Sequence, residues 1–493
     1  MSDLMTNDIP RVGVVETRGI EPVPDAERYG GALELFWTWF GANMGVLGIT
    51  LGAVLVSFSG LSVLQSIVVA VVGSVGSFLL VGLLSTVGKA GGAPALTLSR
   101  AVFGVRGNWA PTLVSWLSFV GWETIMCTTA AYALLAMIHV VGLSTGPIAT
   151  VICLLAVVAV SAGIGVFGHA TIMWIQKWLT WVFGALTVFI GAFLAVKVDW
   201  SAVLATSGAP LPAVMGGLGF IAAATGLGWL SAGADYVRYL PRRVPSRNVV
   251  AATVAGASVP LVVLISLGAL MALTNKDLAS ANDPVAAIGA SLPGWMVIPY
   301  LITAVFGLIA AADLSMYSSG LNLITGGIKV RRTTAVAVDA VLITLGGLYM
   351  TVITHDFYGP FTTFLTLLAV PLTAWAGVVL VDMTHRPHFD QAGIVDTRAG
   401  STYWYQGGVR WTALTAWIVA IVLALQFTRV QVGHVVWFSG ALSGTWFGQN
   451  SLGWLIAGTS AAALFWAWGI ASARVARQAG EPLESAEQGL ADE

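Results

Sequence analysis

Two carboxylates stand where a carboxylate is costly. Glu123 lies in Phe119-Val120-Gly121-Trp122-Glu123 and Asp313 in Ala310-Ala311-Ala312-Asp313-Leu314, each in the middle of a long apolar run. A charge at the centre of a bilayer costs about 3 kcal/mol or more, and a carboxyl escapes that cost by holding its proton. Such a group can take up a proton on one side of a membrane and release it on the other, so Glu123 and Asp313 are proton-coupling candidates. The plainer role is a helix-to-helix hydrogen bond from an acid that never ionises. A second chemistry is the grip on a flat ring. Trp122 and Met126, at i and i+4, share one helix face, with Phe119 on the same stripe. Trp229 directly follows Gly226-Leu227-Gly228. An indole beside a helix break can stack on a planar heterocycle, a contact worth about 1–3 kcal/mol, although such stripes also serve as ordinary packing.

These residues need deep, apolar elements to hold them, and the composition supplies them. Of 493 residues, 57% are hydrophobic and only 9% charged, against about 25% charged in soluble domains. A soluble globular protein is excluded. The net charge of −1 leaves no electrostatic footprint for nucleic acid. A crossing helix needs about 20 apolar residues, and twelve such runs occur, near 35–58, 63–87, 110–138, 147–167, 177–198, 212–236, 248–274, 294–326, 334–354, 359–383, 411–429 and 449–472. Stretches such as Ile67-Val68-Val69-Ala70-Val71-Val72 do not alternate, so helices are expected and not barrel strands.

Charge orients the bundle. With the N-terminus inside, nineteen of the 22 cations fall on the cytoplasmic side, and only Lys197, Lys276 and Arg429 fall outside. Both termini are therefore expected in the cytoplasm of a multi-pass cell-membrane protein, the acidic tail with Glu481, Glu484, Glu487, Asp492 and Glu493 being solvated. Asp235, Asp339 and Asp382 lie nearer the cytoplasmic ends, in reach of water or basic residues.

Two runs are interrupted by glycine. The first contains Gly41-Ala42-Asn43-Met44-Gly45, and the sixth contains Gly226-Leu227-Gly228-Trp229 followed by Ser231. The sixth opens a second group of five, so the breaks occupy equivalent places in a five-plus-five arrangement, as in transporters that bind substrate at mid-bilayer between discontinuous helices. The alternative is that glycine merely lets helices pack closely. The organisation reads as a cytoplasmic segment 1–33, a first five-helix repeat 34–199, a second 212–384, a cytoplasmic loop 385–410, helices 11 and 12 over 411–472, and a cytoplasmic tail 473–493. Thr362, Thr363, Thr366 and Pro371 make the tenth helix a candidate gate.

Other chemistries find little. There is no GxxxxGK[ST] phosphate loop. His385, His388 and Asp390 have metal-ligand spacing, but juxtamembrane histidines more often sit at the interface. An intramembrane enzyme would need a nucleophile with its base at depth, and His139, His169, His355 and His434 all fall near helix ends. No enzyme, metal or cofactor is expected. A passive channel is separable by its unsaturable flux.

The chain carries, in order, Arg18-Gly19-Ile20-Glu21-Pro22-Val23-Pro24, Phe36-Trp37-x-Trp39-Phe40-x-x-Asn43, Ser99-Arg100-Ala101-x-Phe103-Gly104, Gly121-Trp122-Glu123-Thr124, Gly228-Trp229, Ala234-Asp235-Tyr236-x-Arg238-Tyr239-Leu240-Pro241, Tyr317-Ser318-Ser319-Gly320-Leu321 and Tyr403-Trp404-Tyr405-x-Gly407-Gly408. Together these resemble the purine-cytosine permease branch of the nucleobase:cation symporter family. The resemblance implies an all-α, leucine-transporter-like fold, two inverted repeats of five helices plus two C-terminal helices. It also implies import of a nucleobase or similar heterocycle with a cation. By that similarity Trp122 and Trp229 stack on the ring. Asn43 and the Gly226–Ser231 turn, through Gly226, Gly228 and Ser231, lend polar contacts; Met126, Glu123 and Asp313 complete the expected substrate site. Two departures matter. Many relatives carry an amide where this chain has Met126, and a thioether cannot pair with a ring N–H and acceptor as an amide does, so allantoin, a hydantoin or a vitamin-like heterocycle is the alternative substrate. Sodium-coupled relatives present hydroxyls where this chain reads Ala310-Ala311-Ala312, which favours proton over sodium. Oligomeric state is open.

Overall fold

The computed structural model describes residues 11–478 apart from 197–199, 274, 276, 277, 279–282, 329, 355–357, 387, 433 and 434. The acidic tail, Lys197, Lys276, Lys329, His355 and His434 lie outside the described residues, as do the side chains of Thr362 and Thr366.

All twelve apolar runs are occupied by helix. The first is a bent pair, α1 (Ala32–Ala42) and α2 (Leu47–Ser57), meeting at 61°. α3 (Val63–Gly91) follows, then two short linker helices, α4 (Ala95–Leu98) and α5 (Arg100–Phe103). The first half continues with α6 (Trp109–Val140), α7 (Pro147–Phe167), α8 (His169–Val196) and the short α9 (Trp200–Ala205). The second half contains α10 (Leu211–Ala224), α11 (Ser246–Met271), the short α12 (Pro284–Ala290), α13 (Gly294–Thr325), α14 (Arg332–Leu348) and α15 (Tyr358–His385). After α16 (Trp411–Leu425) come a hairpin, β1 (Arg429–Val432) antiparallel to β2 (Val435–Ser439), the short α17 (Trp446–Gln449) and α18 (Gly453–Gln478). Among the described residues, nine helices are long and apolar enough to cross a bilayer, and the bent pair makes a tenth. α16, at 15 residues, is apolar but shorter.

The amphipathicity is that of a membrane bundle. On α3, Val68, Val72, Val75 and Leu79 are exposed while Ser66, Gly73, Ser74 and Ser77 are buried. Large apolar side chains face outward and small or hydroxylated ones face the neighbouring helices, as expected where lipid is as apolar as the core. α3 starts with a capping box, in which Ser62 and Gln65 each accept from the other's backbone N–H. α11 packs on α2 so closely that a Cβ on Gly268 would run into the Ile49 carbonyl oxygen, and one on Gly52 into the Ile265 carbonyl oxygen. α6 lies along α13, and α14 and α7 flank that pair.

Two boundaries differ from the sequence expectation. α8 begins at His169 instead of near 177, because the Glu16 carboxylate accepts the His169 backbone N–H at 2.8 Å and caps the helix from a distant segment. The eleventh helix stops at Leu425, where the chain turns into the hairpin.

Candidate functional site

The two breaks form the centre of the bundle. α1 ends at Asn43, whose backbone leaves the helix at φ −110°, ψ 11°. Its side-chain amide donates to the Trp39 carbonyl at 2.9 Å, so Asn43 serves first to close the broken helix. α10 ends at Thr225, with φ −123° and ψ −104°, and Gly226–Trp229 form a single 3-10 turn. The backbone groups freed there need partners. The Thr225 hydroxyl donates to the Ile221 carbonyl at 2.6 Å, and Ser77 of α3 accepts the Gly226 N–H at 3.2 Å. From Trp229 to Leu240 the chain runs in successive turns.

The indoles gather at this point. Trp122 of α6 lies against Gly228, where the absence of a side chain leaves room for the indole nitrogen edge. Phe361 and Phe364 of α15 meet Trp122 edge to face, with centroids at 6.0 and 5.7 Å. Trp229 is 7% exposed. It stands edge-on to Trp39 at 5.5 Å and tilted against Phe119 at 6.4 Å. The two expected stacking residues thus reach the same break from different helices. Trp122 is half-buried, whereas Trp229 is built into an aromatic cluster. Trp39, fully buried, also stands edge-on to Tyr236 at 5.5 Å. Sequence reasoning quoted Trp39 in a motif and placed Phe119 on the right stripe, but gave neither a role at the site. Met126 is buried in the core on the Trp122 face.

Ser231 is engaged elsewhere. Its hydroxyl meets that of Ser115 at 2.7 Å, and Asn322 donates to Ser115 at 2.8 Å, a polar link joining the broken sixth span to α6 and α13.

Glu123 lies about 100° around α6 from Trp122 and faces the interior among α6, α7 and α13. It is fully buried, Asp313 is 1% exposed, and none of their four carboxyl oxygens has a hydrogen-bond partner among the described residues. Both acids act electrostatically on the Cys127 thiol, and Ser161 of α7 lies beside Asp313. Both acids thus lie in the region of Cys127, and Glu123 points about 100° away from the Trp122 face of α6. Asp382, expected to find water or cations, pairs with Arg386 and Arg410, each at 2.8 Å. Asp235 is buried and accepts the Ala95 N–H at 2.8 Å. Asp339 is also fully buried, not in reach of water or a basic residue as expected, and accepts from the Trp116 indole at 3.0 Å. Arg332, the nearby cation on its helix, is turned to the Gly165 and Val166 carbonyls instead. Among the described residues no three His, Cys, Asp or Glu side chains converge as a metal site; His385 turns to Thr384 and the Val381 carbonyl, and Asp390 to Thr402.

The arginine-rich end is closed by the segment preceding α1. Glu16 accepts from Arg238 at 2.9 Å, Tyr239 at 2.6 Å and Tyr317 at 3.2 Å. Burial alone would push this carboxyl up, but Arg238, then His169 and Arg332, hold it below the ordinary carboxylate range. The segment covers a cavity of about 220 Å³ lined by Tyr29, Glu34, Thr38, His169, Tyr236 and Tyr239. Trp39 stands between this cavity and the break. On the same end, the 385–410 loop docks on the linker helices through Tyr405, which donates to the Ala101 carbonyl at 2.7 Å, and Arg100, which donates to the Ile394 carbonyl at 3.1 Å.

Comparison with known proteins gives this architecture a context. A family described as permease for cytosine/purines, uracil, thiamine, allantoin matches residues 22–456. The protein named "Putative purine-cytosine permease YxlA" of Bacillus subtilis (strain 168) is 26% identical over 455 residues, spanning 90% of this chain and 93% of that protein. Purine-cytosine permease FCY2 of Saccharomyces cerevisiae is 29% identical over 283 residues, 55% of this chain and about half (49%) of its own length. Among solved structures, Mhp1, a nucleobase-cation-symport-1 family transporter in a closed conformation with bromovinylhydantoin bound, superposes with a TM-score of 0.74 at 20% identity, covering 96% of this chain and 98% of that one. MhsT in complex with L-phenylalanine gives 0.57 at 14% identity, covering 88% and 99%. These likenesses show the fold, a leucine-transporter-like helical bundle.

Proposed function

This chain belongs to the permease family for cytosine/purines, uracil, thiamine and allantoin, and from that premise we propose that it imports a nucleobase or a similar planar heterocycle by alternating access, coupled to protons. It is a multi-pass membrane permease and not an enzyme. The observation that carries the reading is the meeting of two interrupted helices with two indoles, Trp122 and Trp229, at one point in the bundle. The half-buried Trp122 supplies a face for the ring, and Trp229, braced by Trp39 and Phe119, fixes the depth of the floor. Asn43 and the Gly226–Trp229 turn bring backbone polar groups to the same place, where a polar ring can satisfy them. The repeats are 34–199 and 212–384, with 411–472 as two added helices.

The positive-inside rule favours the cytoplasmic side of the cell membrane for the end that carries Arg100, Arg238, Arg332, Arg386 and Arg410. Both termini are then cytoplasmic. Proton coupling is favoured over sodium by two features. Among the described residues, Glu123 and Asp313 are buried carboxyls whose oxygens have no hydrogen-bond partner and no cation beside them, a state that suits a neutral, proton-bearing acid. The Ala310-Ala311-Ala312 stretch offers no side-chain oxygen to a hard cation, and the Ala310 carbonyl already accepts from Gln176 at 2.6 Å.

A second substrate reading has its own observation. Met126, on the Trp122 face, offers no amide to a base edge, and the structurally similar Mhp1 holds a hydantoin. Allantoin, a hydantoin or a vitamin-like heterocycle fits that chemistry. The test is uptake in proteoliposomes, with cytosine, adenine, hypoxanthine, uracil, allantoin and a hydantoin in competition. Accumulation is expected under an inward proton gradient, without sodium, and abolished by a protonophore. Sodium-dependent, protonophore-insensitive uptake refutes the coupling, and failure of all six compounds to compete refutes the substrate class.

A further inference from the structure

At the end of the bundle away from the arginine-rich side, a second cavity lies behind the ring site. It holds about 200 Å³ and is walled by Phe220 of α10, Leu365 and Ala369 of α15, Phe427 and Arg429 where α16 gives way to β1, and Trp454 of α18. Gly219, also in its wall, precedes the break at Thr225 by about 9 Å along α10. Leu365 adjoins Phe364, whose ring meets Trp122. The cavity and the ring site thus share two helices, yet they have no residue in common.

The polar groups of this cavity call for an acceptor. Arg429 is exposed and, among the described residues, makes no ion pair. It is the one lysine or arginine described at this end, since Lys197 and Lys276 lie outside the described residues. A cation here runs against the charge bias that places most of the others on the opposite side. The Trp454 indole nitrogen is buried and has no hydrogen-bond partner among the described residues. A Cβ on Gly219 would stand 3.3 Å from that nitrogen, so the N–H lies at the α10 wall. An indole N–H only donates, and so does a guanidinium. Phe220 and Phe427, both half-buried, add apolar ring surface.

Donors beside phenyl rings match an aromatic anion. A guanidinium fork fits a planar carboxylate through two parallel hydrogen bonds. Among the described residues no Asp or Glu lines the cavity to oppose that charge. A volume of about 200 Å³ falls below the roughly 300 Å³ at which drug-sized pockets begin, which limits the occupant to one or two rings.

We propose that this cavity is a second ligand site, which takes a small aromatic carboxylate and slows transport without competing for the ring site. The carboxylate meets Arg429, the ring lies against the phenyl side chains, and the Trp454 N–H donates to an acceptor on the ligand. An occupant there is wedged between α10, α15 and the C-terminal helices. It resists the movement of one repeat against the other on which alternating access depends. That consequence rests on the transport reading above; the binding itself does not.

The test is equilibrium binding of radiolabelled benzoate and indole-3-carboxylate to the detergent-purified full chain, with benzamide as the uncharged analogue. Saturable binding of at least one carboxylate is expected, tighter than that of benzamide. Arg429→Gln should raise the carboxylate Kd about tenfold or more, the worth of a charge-assisted hydrogen bond, and leave benzamide unchanged. Arg429→Lys should recover part of the loss. Trp454→Phe keeps a ring, removes the N–H, and should weaken both carboxylates and benzamide a few-fold. Thermal unfolding of ligand-free Arg429→Gln should match the wild type, because no ion pair is lost. In proteoliposomes, benzoate should lower the maximal uptake rate of the transported ring and leave its KM unchanged. No saturable binding of either carboxylate, or binding that Arg429→Gln leaves as tight, overturns the site. Competitive displacement of benzoate by the transported ring assigns it to the ring site and overturns the proposal as well. Saturable binding with unaltered uptake overturns the slowing of transport. A wild-type protein that takes up no heterocycle overturns the transport reading, and the binding assay still decides the site.

Discussion

Replacing Trp122 by alanine is the sharpest probe of the ring site. Trp229 is the less useful target, because it is 7% exposed and packed edge-on against Trp39; truncating a buried Trp costs about 3–5 kcal/mol of stability and would confound any loss of binding. Trp122 is half-buried, and its described ring contacts are two edges, Phe361 and Phe364. Its removal should therefore cost the fold less and the ligand more. Stacking of one base on one aromatic ring is worth about 1–3 kcal/mol. At about 1.4 kcal/mol per tenfold, Trp122→Ala should raise the Kd by a factor of about 5 to 150, and Trp122→Phe by less. The loss should be greater for a bicyclic purine than for a monocyclic pyrimidine, because more ring area is stacked. Equilibrium binding of radiolabelled ligand to detergent-purified protein reads the affinity, and thermal unfolding of the same preparation reports the fold. A Trp122→Ala protein that unfolds near the wild-type temperature and binds every transported ring with wild-type affinity would refute the stacking assignment.

Two stability predictions follow from close contacts elsewhere. Gly268→Ala should destabilise by at least about 1–3 kcal/mol, the usual range for overpacking, since its Cβ would overlap the Ile49 carbonyl. Gly76→Ala on α3, with open space around the added atom, should be neutral or slightly stabilising; equal Tm values for the two variants would contradict the α2–α11 contact. Glu16→Gln should cost about 3–5 kcal/mol by leaving Arg238 buried without its anion, and should expose Arg11 and Arg18 to trypsin. Because the folded Glu16 carboxyl is held below its ordinary range, its contribution is complete above an unfolded pKa of about 4.3 and fades as pH falls through the lower folded value. Trypsin resistance that is indifferent to acid in the wild type, or unchanged in Glu16→Gln, would rule out Glu16 as the group that holds the segment preceding α1 against the arginine-rich end.

Some of this was readable from the residues and some was not, for physical reasons. The two breaks were legible because Gly41–Gly45 and Gly226–Gly228 interrupt long apolar runs at matching places, and helix continuity is a local property. The depth of Glu123 and Asp313 was legible because position within a span is counted along the chain. Partners were not. Ser231 looked like a ligand group at the break, yet it is held by Ser115 and Asn322, whose proximity depends on how three helices cross. The fifth apolar run reads from about 177, but α8 begins at His169 because Glu16 caps it from more than 150 residues away. Trp39 was one of 20 tryptophans, and only the packing shows it braced between Trp229 and Tyr236.

The contrast among the buried acids decides what they are for. Where an acid serves structure in this protein, it has donors. Glu16 takes four, from Arg238, Tyr239, Tyr317 and the His169 backbone, and Asp382 takes two arginines. Breaking such a pair strands a buried charge, so these pairs hold the arginine-rich end shut. Glu123 and Asp313 lie deeper, and among the described residues neither is paired with a cation and their carboxyl oxygens have no hydrogen-bond partner, with Ser161 lying beside Asp313. Two mid-membrane acids that lack the cations and donors given to Glu16 and Asp382 suit the proton-coupled reading, since a carboxyl without such partners is costly to charge within the membrane.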